Sequence, residues 1–334
     1  MNTASLSLDL DNLWSYMKTH GDAGWERYPS YLDRMVPLAL RCLEERDLQI
    51  TFFIVGLDAS LAQNHQALRS IVEAGHEVGN HSFHHEPWLH LYDDSRLEDE
   101  LSRAENAIVT ATGVRPDGFR GPGFSLSETT LRVLARRGYR YDASTFPTYL
   151  GPLARAYYFW TAKLDAEEKK RRAKLFGSVK DGLRPLKPYR WELGERRMLE
   201  IPVTTMPVSK APFHVSYLLF LSMRSHLAAC AYFRLALGMC RLTGVQPSLL
   251  LHPLDFLGGD DCPELAFFPA MGVDGEAKRR WTGDYLDIYR KAFHVVPMGK
   301  HADLLADASL PLRKPDFPRE DETATPPTEP APQT

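Results

Sequence analysis

Short apolar runs recur along this chain, each ending on polar or charged residues, with stretches of helical periodicity between them. Residues 4–11 alternate apolar with small or polar side chains and end on Asp9 and Asp11. That period of two predicts a strand and points both carboxylates to one face. Residues 49–55 read as a second, fully buried strand. A third leads into Asn80-His81-Ser82-Phe83-His84-His85. Further runs end at Arg120-Gly121-Pro122-Gly123, at Asp142 and at His252-Pro253, and others lie at 199–203 and 294–298. Helical periodicity occupies 31–46, 59–74, 95–111, 127–137, 274–293 and 300–306, while 12–28 reads as an aromatic-containing loop. Such alternation restricts the chain to an α/β architecture. Polar residues gathered at strand ends match the placement of active sites in β/α barrels.

Composition removes several alternatives. The 334 residues are 25% charged and 44% apolar, the balance of a soluble globular protein, and a chain this long buries a substantial core. A net charge of -3 supplies no basic field for nucleic acid, so none is expected as a partner. Cys42, Cys230, Cys240 and Cys262 are widely spaced without CxxC, which suggests neither a zinc finger nor a disulfide framework. Reduced thiols, and no signal-peptide pattern ahead of the first strand, give the expectation of a cytoplasmic protein.

One region breaks the rhythm. Between about 148 and 243 lies an insert of aromatic, basic and apolar segments. Residues 163–197 carry 12 Lys/Arg against 6 Asp/Glu. Residues 213–242 contain no acidic residue and are strongly apolar, interrupted by Arg224, Arg234 and Arg241. Their apolar runs fall well short of the ~20 residues of a membrane span. Two readings stand for them: core helices of a large domain, or a basic amphipathic surface that touches a membrane. A single domain is expected over 1–312, followed by a Pro/Thr/Glu tail, 313–334, that buries no apolar area and is read as disordered.

The strand ends carry chemistry. A closed β/α sheet gathers Asp9, Asp11, His81, His85, Arg120, Asp142 and His252 on one face. Two histidines four apart on one turn aim at one ion, and with an aspartate they make a three-ligand metal site with an open position. A spare carboxylate beside the metal takes a proton from water, and a histidine across the site gives one to a leaving group. That combination performs metal-assisted hydrolysis of an amide or ester.

In order and rough spacing over residues 5–256, these segments resemble the five motifs of the NodB-homology polysaccharide deacetylases, carbohydrate esterase family 4. Ser7-Leu8-Asp9-Leu10-Asp11 is similar to a variant first motif with its aspartates spaced by one residue. His81-Ser82-Phe83-His84-His85 matches HSxxH and Arg120-Gly121-Pro122 matches RxP. Tyr141-Asp142-Ala143-Ser144-Thr145-Phe146-Pro147 resembles the fourth motif and Leu250-Leu251-His252-Pro253 the fifth. The resemblance implies a distorted (β/α)7 TIM-like barrel with a helical insert. It implies Asp11, His81 and His85 as ligands of a divalent metal, with zinc the default and cobalt, nickel, iron or manganese left open. Asp9 becomes the general base, Arg120 its partner, His252 the general acid and Asp142 the group that holds and charges His252. The backbone N–H of Gly123, which stands where the family usually has Tyr, becomes an oxyanion donor, and Ser82 orients the His-rich turn. His84 points away from the metal, while His76, His90 and Asp255 are left without a role.

The implied activity is removal of an N-acetyl or N-formyl group from an amino sugar of a glycan. Variant members of the family that act on lipid-linked sugars also lack a signal peptide and carry inserts, and that resemblance gives the further expectation of a polyprenyl-phosphate-linked substrate. The protein would then touch the inner face of the cytoplasmic membrane through 150–243. The alternatives weighed are a catalytically silent carbohydrate-binding relative and a cyclic-amide hydrolase on the same barrel. Oligomeric state is left open.

Overall fold

The computed structural model describes residues 2–151 and 179–317. Strand β1 (Thr3–Leu10) has three partners in the sheet. It pairs in parallel with β2 (Thr51–Ile54), β8 (Ser248–Leu251) and β9 (His294–Val296). From β2 the sheet continues through β3 (Glu77–Asn80), β4 (Gly118–Phe119), β5 (Tyr141–Asp142) and β7 (Arg196–Glu200), all parallel. It ends in β6 (Tyr189–Leu193), antiparallel to β7, and β10 (Leu312–Arg313). Because parallel strands share one direction, their polar C-terminal ends meet along one edge. The ladder does not close, but the segment after β7 spans the gap. Ile201 N donates to Asp142 O (2.9 Å), Val203 N to Thr145 O (2.9 Å) and Thr204 N to Ser248 O (3.0 Å). The result is the distorted β/α barrel that the resemblance implies.

Alternation within β1 separates two environments. Ala4, Leu6, Leu8 and Leu10 face the helices in the main apolar cluster, each at most 1% exposed. Burying each leucine stabilises the fold by roughly 1.5–3 kcal/mol. Ser5, Ser7 and Asp9 face inward, where Phe53, Tyr141, Met298 and the Arg120 side chain are also buried. The outer layer includes α1 (Leu13–His20), α2 (Leu32–Glu44), α3 (Gly56–Ser60), α4 (His65–Glu73), α5 (Asp94–Thr112) and α6 (Glu128–Arg137). The later helices are α7 (Val215–Thr243), α8 (Gly275–Ala292) and α9 (Met298–Leu304). Side-chain caps start several of them: Asp93, Ser127 and Asp274 accept the N–H of Arg96, Thr130 and Ala277.

Four expectations change. The 12–28 loop contains α1, because Asn12 caps it and Gly21 ends it at φ 89°. The 59–74 helix is broken, since Leu61 is extended (φ -91°, ψ 116°) between α3 and α4. The 148–243 insert is not simply helical: its described part includes the β6–β7 hairpin, turned at Gly194 (φ 71°), before α7. Ordered chain also runs past 313, since β10 pairs with β6 and the Phe317 ring packs 5.5 Å from Trp191. Residues 152–178 and 318–334 lie outside the described residues, and with them the first part of the basic 163–197 stretch and the disorder expected of the tail.

Helix α7 has one face in the core and one exposed. Leu218, Leu219, Phe233, Ala236 and Leu237 are buried in the core. The outer face exposes Phe220, Leu221, Met223, Leu227, Leu235 and Leu242, from 40% to 88%. Ser225, at φ -162° and ψ 108°, interrupts the helix midway.

Candidate active site

Two of the site's histidines sit on a strained turn. After β3, Ser82 and His85 adopt φ 61° and 56°, a left-handed conformation that costs a residue with a side chain on the order of 1–3 kcal/mol. Local bonds hold it. Asn80 Oδ1 accepts the N–H of Ser82 (2.8 Å) and Ser82 Oγ accepts that of His85 (3.2 Å). Glu100, on α5, accepts the N–H groups of Phe83 (2.9 Å) and His84 (2.7 Å). Its other oxygen lies 2.7 Å from His84 Nδ1, so His84 is tied to α5.

The turn brings His81 and His85 to Asp11, just past β1. Nε2 of His85 lies 3.0 Å and Nε2 of His81 3.4 Å from Asp11 Oδ1. His81 Nδ1 meets the carbonyl of Arg120 at 2.6 Å, which makes Nδ1 the donor and leaves the Nε2 lone pair facing the aspartate. Burial alone would raise the Asp11 carboxyl; His85 and His81 reverse that and hold it well below the usual range. Asp11 Oδ1 and His85 Nε2 are buried without a hydrogen-bond partner. One carboxylate and two imidazoles, with ligand atoms within 4.8 Å of one another, fit a divalent cation, and the orphaned atoms are those it would satisfy.

Asp9 lies one turn of the pleat below. Its Oδ1 accepts from Arg120 Nη1 (2.7 Å), which also donates to Ser7 Oγ (2.8 Å). Arg120 Nε donates to Ala143 O (3.0 Å), and the fully buried guanidinium sits 4.4 Å over the Phe53 ring. The chain then turns through Pro122 and Gly123, the latter at φ 58°. Gly121 admits no side chain, because a Cβ there would meet Ser125 O at 2.0 Å.

The expected contact between Asp142 and His252 is replaced by two separate ones. Asp142 accepts from Ser144 N (3.1 Å) and Ser144 Oγ (2.6 Å), with Glu200 paired beside it across β5 and β7. Burial first, and then the charge of Asp142, push the Glu200 carboxyl well above the usual range. Ser144 Oγ in turn accepts the N–H of Gly121 (2.8 Å), so the acid pair steadies the turn that bears Gly123. His252 is held elsewhere: its N–H donates to Asp255 Oδ2 (2.8 Å), and its Nδ1 lies 3.2 Å from Ser216 Oγ at the start of α7. Sequence reasoning missed Ser216 and Glu200 and left Asp255 without a role. The signals were slight: an acid three residues past His252, and another strand ending on Glu200. His76 and His90 lie apart from the ligands, bonded to Ile50 N (3.1 Å) and to Ser125 (2.8 Å).

Asp11 and His252 line one cavity of about 510 Å³. Its walls are largely apolar: Leu150, Leu219, Phe220, Leu254, Phe268 and Met271. Lys278 lies beneath it, its Nζ donating to the carbonyls of Leu254 (2.8 Å) and Leu257 (2.9 Å) and its pKa pushed down to about 8 by burial.

Behind the ligands, Asp58 accepts from Asn12 Nδ2 (2.7 Å) and Trp14 Nε1 (2.9 Å), while its Oδ2 is buried without a partner. Burial raises its pKa to about 7. The unfolded chain releases this proton near pH ~3.9, so the folded state binds more protons between there and 7. Stability from this group therefore falls as pH rises across that window and is flat above it. Asp58→Asn, which keeps the acceptor oxygen, is expected to be neutral near pH 4 and stabilising by a few kcal/mol at most near pH 8. Urea unfolding at the two pH values checks it; an equal effect at both would contradict the assignment.

Residues 22–141 match the family model described as polysaccharide deacetylase. A peptidoglycan deacetylase of Helicobacter pylori is 31% identical over 109 residues, 33% of this chain and 36% of that protein. The matched stretch thus spans about a third of the length of the curated relatives. A putative polysaccharide deacetylase from Mycobacterium smegmatis superposes with a TM-score of 0.60 at 19% identity, covering 94% of this chain and 95% of its own. A probable polysaccharide deacetylase from Pseudomonas aeruginosa PAO1 does so at 0.55 and 16%, covering 92% and 91%. At these identities the two structures establish the shared fold. Residues 22–141 thus match the polysaccharide deacetylase family, and the motif order and the shared fold agree with that match.

Proposed function

We propose that the domain is a metal-dependent N-deacylase that hydrolyses the N-acetyl or N-formyl amide of an amino sugar in a glycan. The observation that carries this reading is the Asp11–His81–His85 cluster with the Arg120-paired Asp9 beside it. A divalent cation bound by the cluster supplies Lewis-acid polarisation of the amide carbonyl and of a water molecule. Asp9 takes the proton of the attacking water as the new C–O bond forms, and Arg120 holds and aims that carboxylate. The N–H of Gly123 donates to the developing oxyanion. His252 gives its proton to the nitrogen as the C–N bond breaks, leaving a free amine and acetate or formate. Asp9 then returns its proton to solvent and His252 takes one back, which restores the starting state. The experiment is release of acetate or formate from N-acylated amino sugars, with metal analysis of the same sample. Loss of activity on chelation and recovery with zinc or cobalt supports the reading; activity unaffected by chelation defeats it.

The finer reading is a sugar carried on a polyprenyl phosphate at the cytoplasmic membrane face. Its support is that Phe220 lines the catalytic cavity and is also 54% exposed, on a helix whose outer face carries Leu227 and Leu235 beside Arg224 and Arg234. Apolar surface suits the lipid and arginine suits phosphate. Among the described residues no helix is long and apolar enough to cross a membrane. Flotation with vesicles containing anionic lipid is expected to carry the protein up, and the Leu227→Asp/Leu235→Asp double variant to reduce that recovery about tenfold. Wild-type protein that stays at the bottom of the gradient would end this reading.

A further inference from the structure

The acid arm of the site is wired differently from the metal arm. Ser216 lies in the first turn of α7, inside the insert, and its Oγ is 2.8 Å from Asp255 Oδ1 and 3.2 Å from His252 Nδ1. A hydroxyl has one proton to give, and the carboxylate can only accept it. The hydroxyl oxygen is therefore left to accept from His252 Nδ1–H. The second oxygen of Asp255 accepts the backbone N–H of His252, so one buried carboxylate grips that residue at two points. Asp255 is itself fixed, its carbonyl accepting from Thr282 Oγ1 at 2.8 Å. The adjacent His214 ring, centred 5.5 Å from that of His252, is 7% exposed. Asp142, which the motif pattern had assigned to His252, is committed to Ser144 and Glu200.

We propose that Ser216 and Asp255 are the positioning residues of His252, a relay in which Asp255 acts through the Ser216 hydroxyl to fix the Nδ1–H tautomer. This deepens the deacylase reading and rests on it for the role of His252. With Nδ1 committed, Nε2 is the atom left to carry and deliver a proton to the departing amine. The insert thereby supplies part of the catalytic apparatus as well as surface: α7 presents a hydroxyl where a carboxylate alone would not reach.

The test uses the metal-loaded full chain and two probes, N-acetylated chitopentaose and 4-nitrophenyl acetate. The amide needs a protonated leaving group and the aryl ester does not. Ser216→Ala and Asp255→Asn are expected to lower kcat on the amide about 10- to 100-fold, with KM within about twofold. On the ester the loss should stay below about threefold, and Ser216→Thr should restore amide activity. Equal losses on both probes, or an amide-selective loss in Asp142→Asn and none in Asp255→Asn, would overturn the relay. A second readout is independent of turnover: long-range ¹⁵N–¹H spectra of the labelled metal-free protein. His252 should show the Nδ1–H tautomer, lost or mixed in Ser216→Ala. An Nε2–H tautomer in the wild type overturns the proposal. The expected tautomer in a protein inert toward every N-acyl sugar supports the relay and rejects the deacylase reading.

Discussion

Asp11→Asn is expected to leave a folded protein that binds no metal and has lost activity by about three orders of magnitude or more. Asp11 Oδ1 is the atom that both histidines face, at 3.0 and 3.4 Å. An amide there offers a neutral oxygen or an N–H, and neither replaces a carboxylate held well below its usual pKa. The two imidazoles remain, but two neutral ligands bind a divalent ion weakly. Thermal unfolding separates loss of metal from loss of fold. A thousandfold excess of zinc over its Kd stabilises the wild type by about 4 kcal/mol, and Asp11→Asn should show none of that gain. Retention of stoichiometric metal in the variant would remove Asp11 from the ligand set.

Arg120→Met is expected to destabilise the fold by about 3–5 kcal/mol, the cost of leaving a buried carboxylate without its partner. The guanidinium is fully buried and bonds Asp9, Ser7 and the Ala143 carbonyl together. Methionine fills much of the volume and satisfies none of them. Arg120→Lys should recover little, because one ammonium cannot span three partners set by a planar fork. Adding Asp9→Asn to Arg120→Met removes the stranded charge, so the double variant should be more stable than Arg120→Met alone and still inactive. Urea unfolding of the wild type, Asp9→Asn, Arg120→Met and the double variant closes the cycle. A cost under about 1 kcal/mol for Arg120→Met would mean that the Arg120–Asp9 pair does not hold the fold together.

How much of this was legible depended on the distance over which each signal acts. Asp9 and Asp11 are read from the period of one strand, and His81 and His85 from one turn. Their gathering follows from parallel strand ends, which the alternation of elements already implies. Arg120 is next to the turn it anchors. The partner of Asp142 was out of reach, because Glu200 lies on another strand and only sheet order brings them together. Ser216 meets His252 across 36 residues, between a helix start and a strand end, and a serine at a helix start reads as an ordinary capping residue. Helix α1 was hidden because eight aromatic-rich residues show little periodicity, and its start depends on Asn12 being anchored by Asp58. The break at Leu61 sits inside a sequence of sound helix formers, and tertiary bonding of Asn64 Nδ2 to Asp58 O accompanies it.

The three-partner position of β1 bears on how the molecule comes into being. The strand that carries Asp9 and leads to Asp11 is the first strand of the chain. Its neighbour β2 follows within fifty residues, but its other neighbours, β8 and β9, are more than two hundred residues away. While the chain emerges from the ribosome, β1 has one paired edge and one open edge of Leu, Ser and Asp residues. Non-local pairing of this kind is slow and leaves an apolar strand exposed meanwhile. The metal ligands and Arg120 are all present by residue 120, yet the strand beneath them gains its last partner only when residues 294–296 are in place. Assembly of the catalytic face is thus among the late events of folding, although most of its residues are among the first to be made.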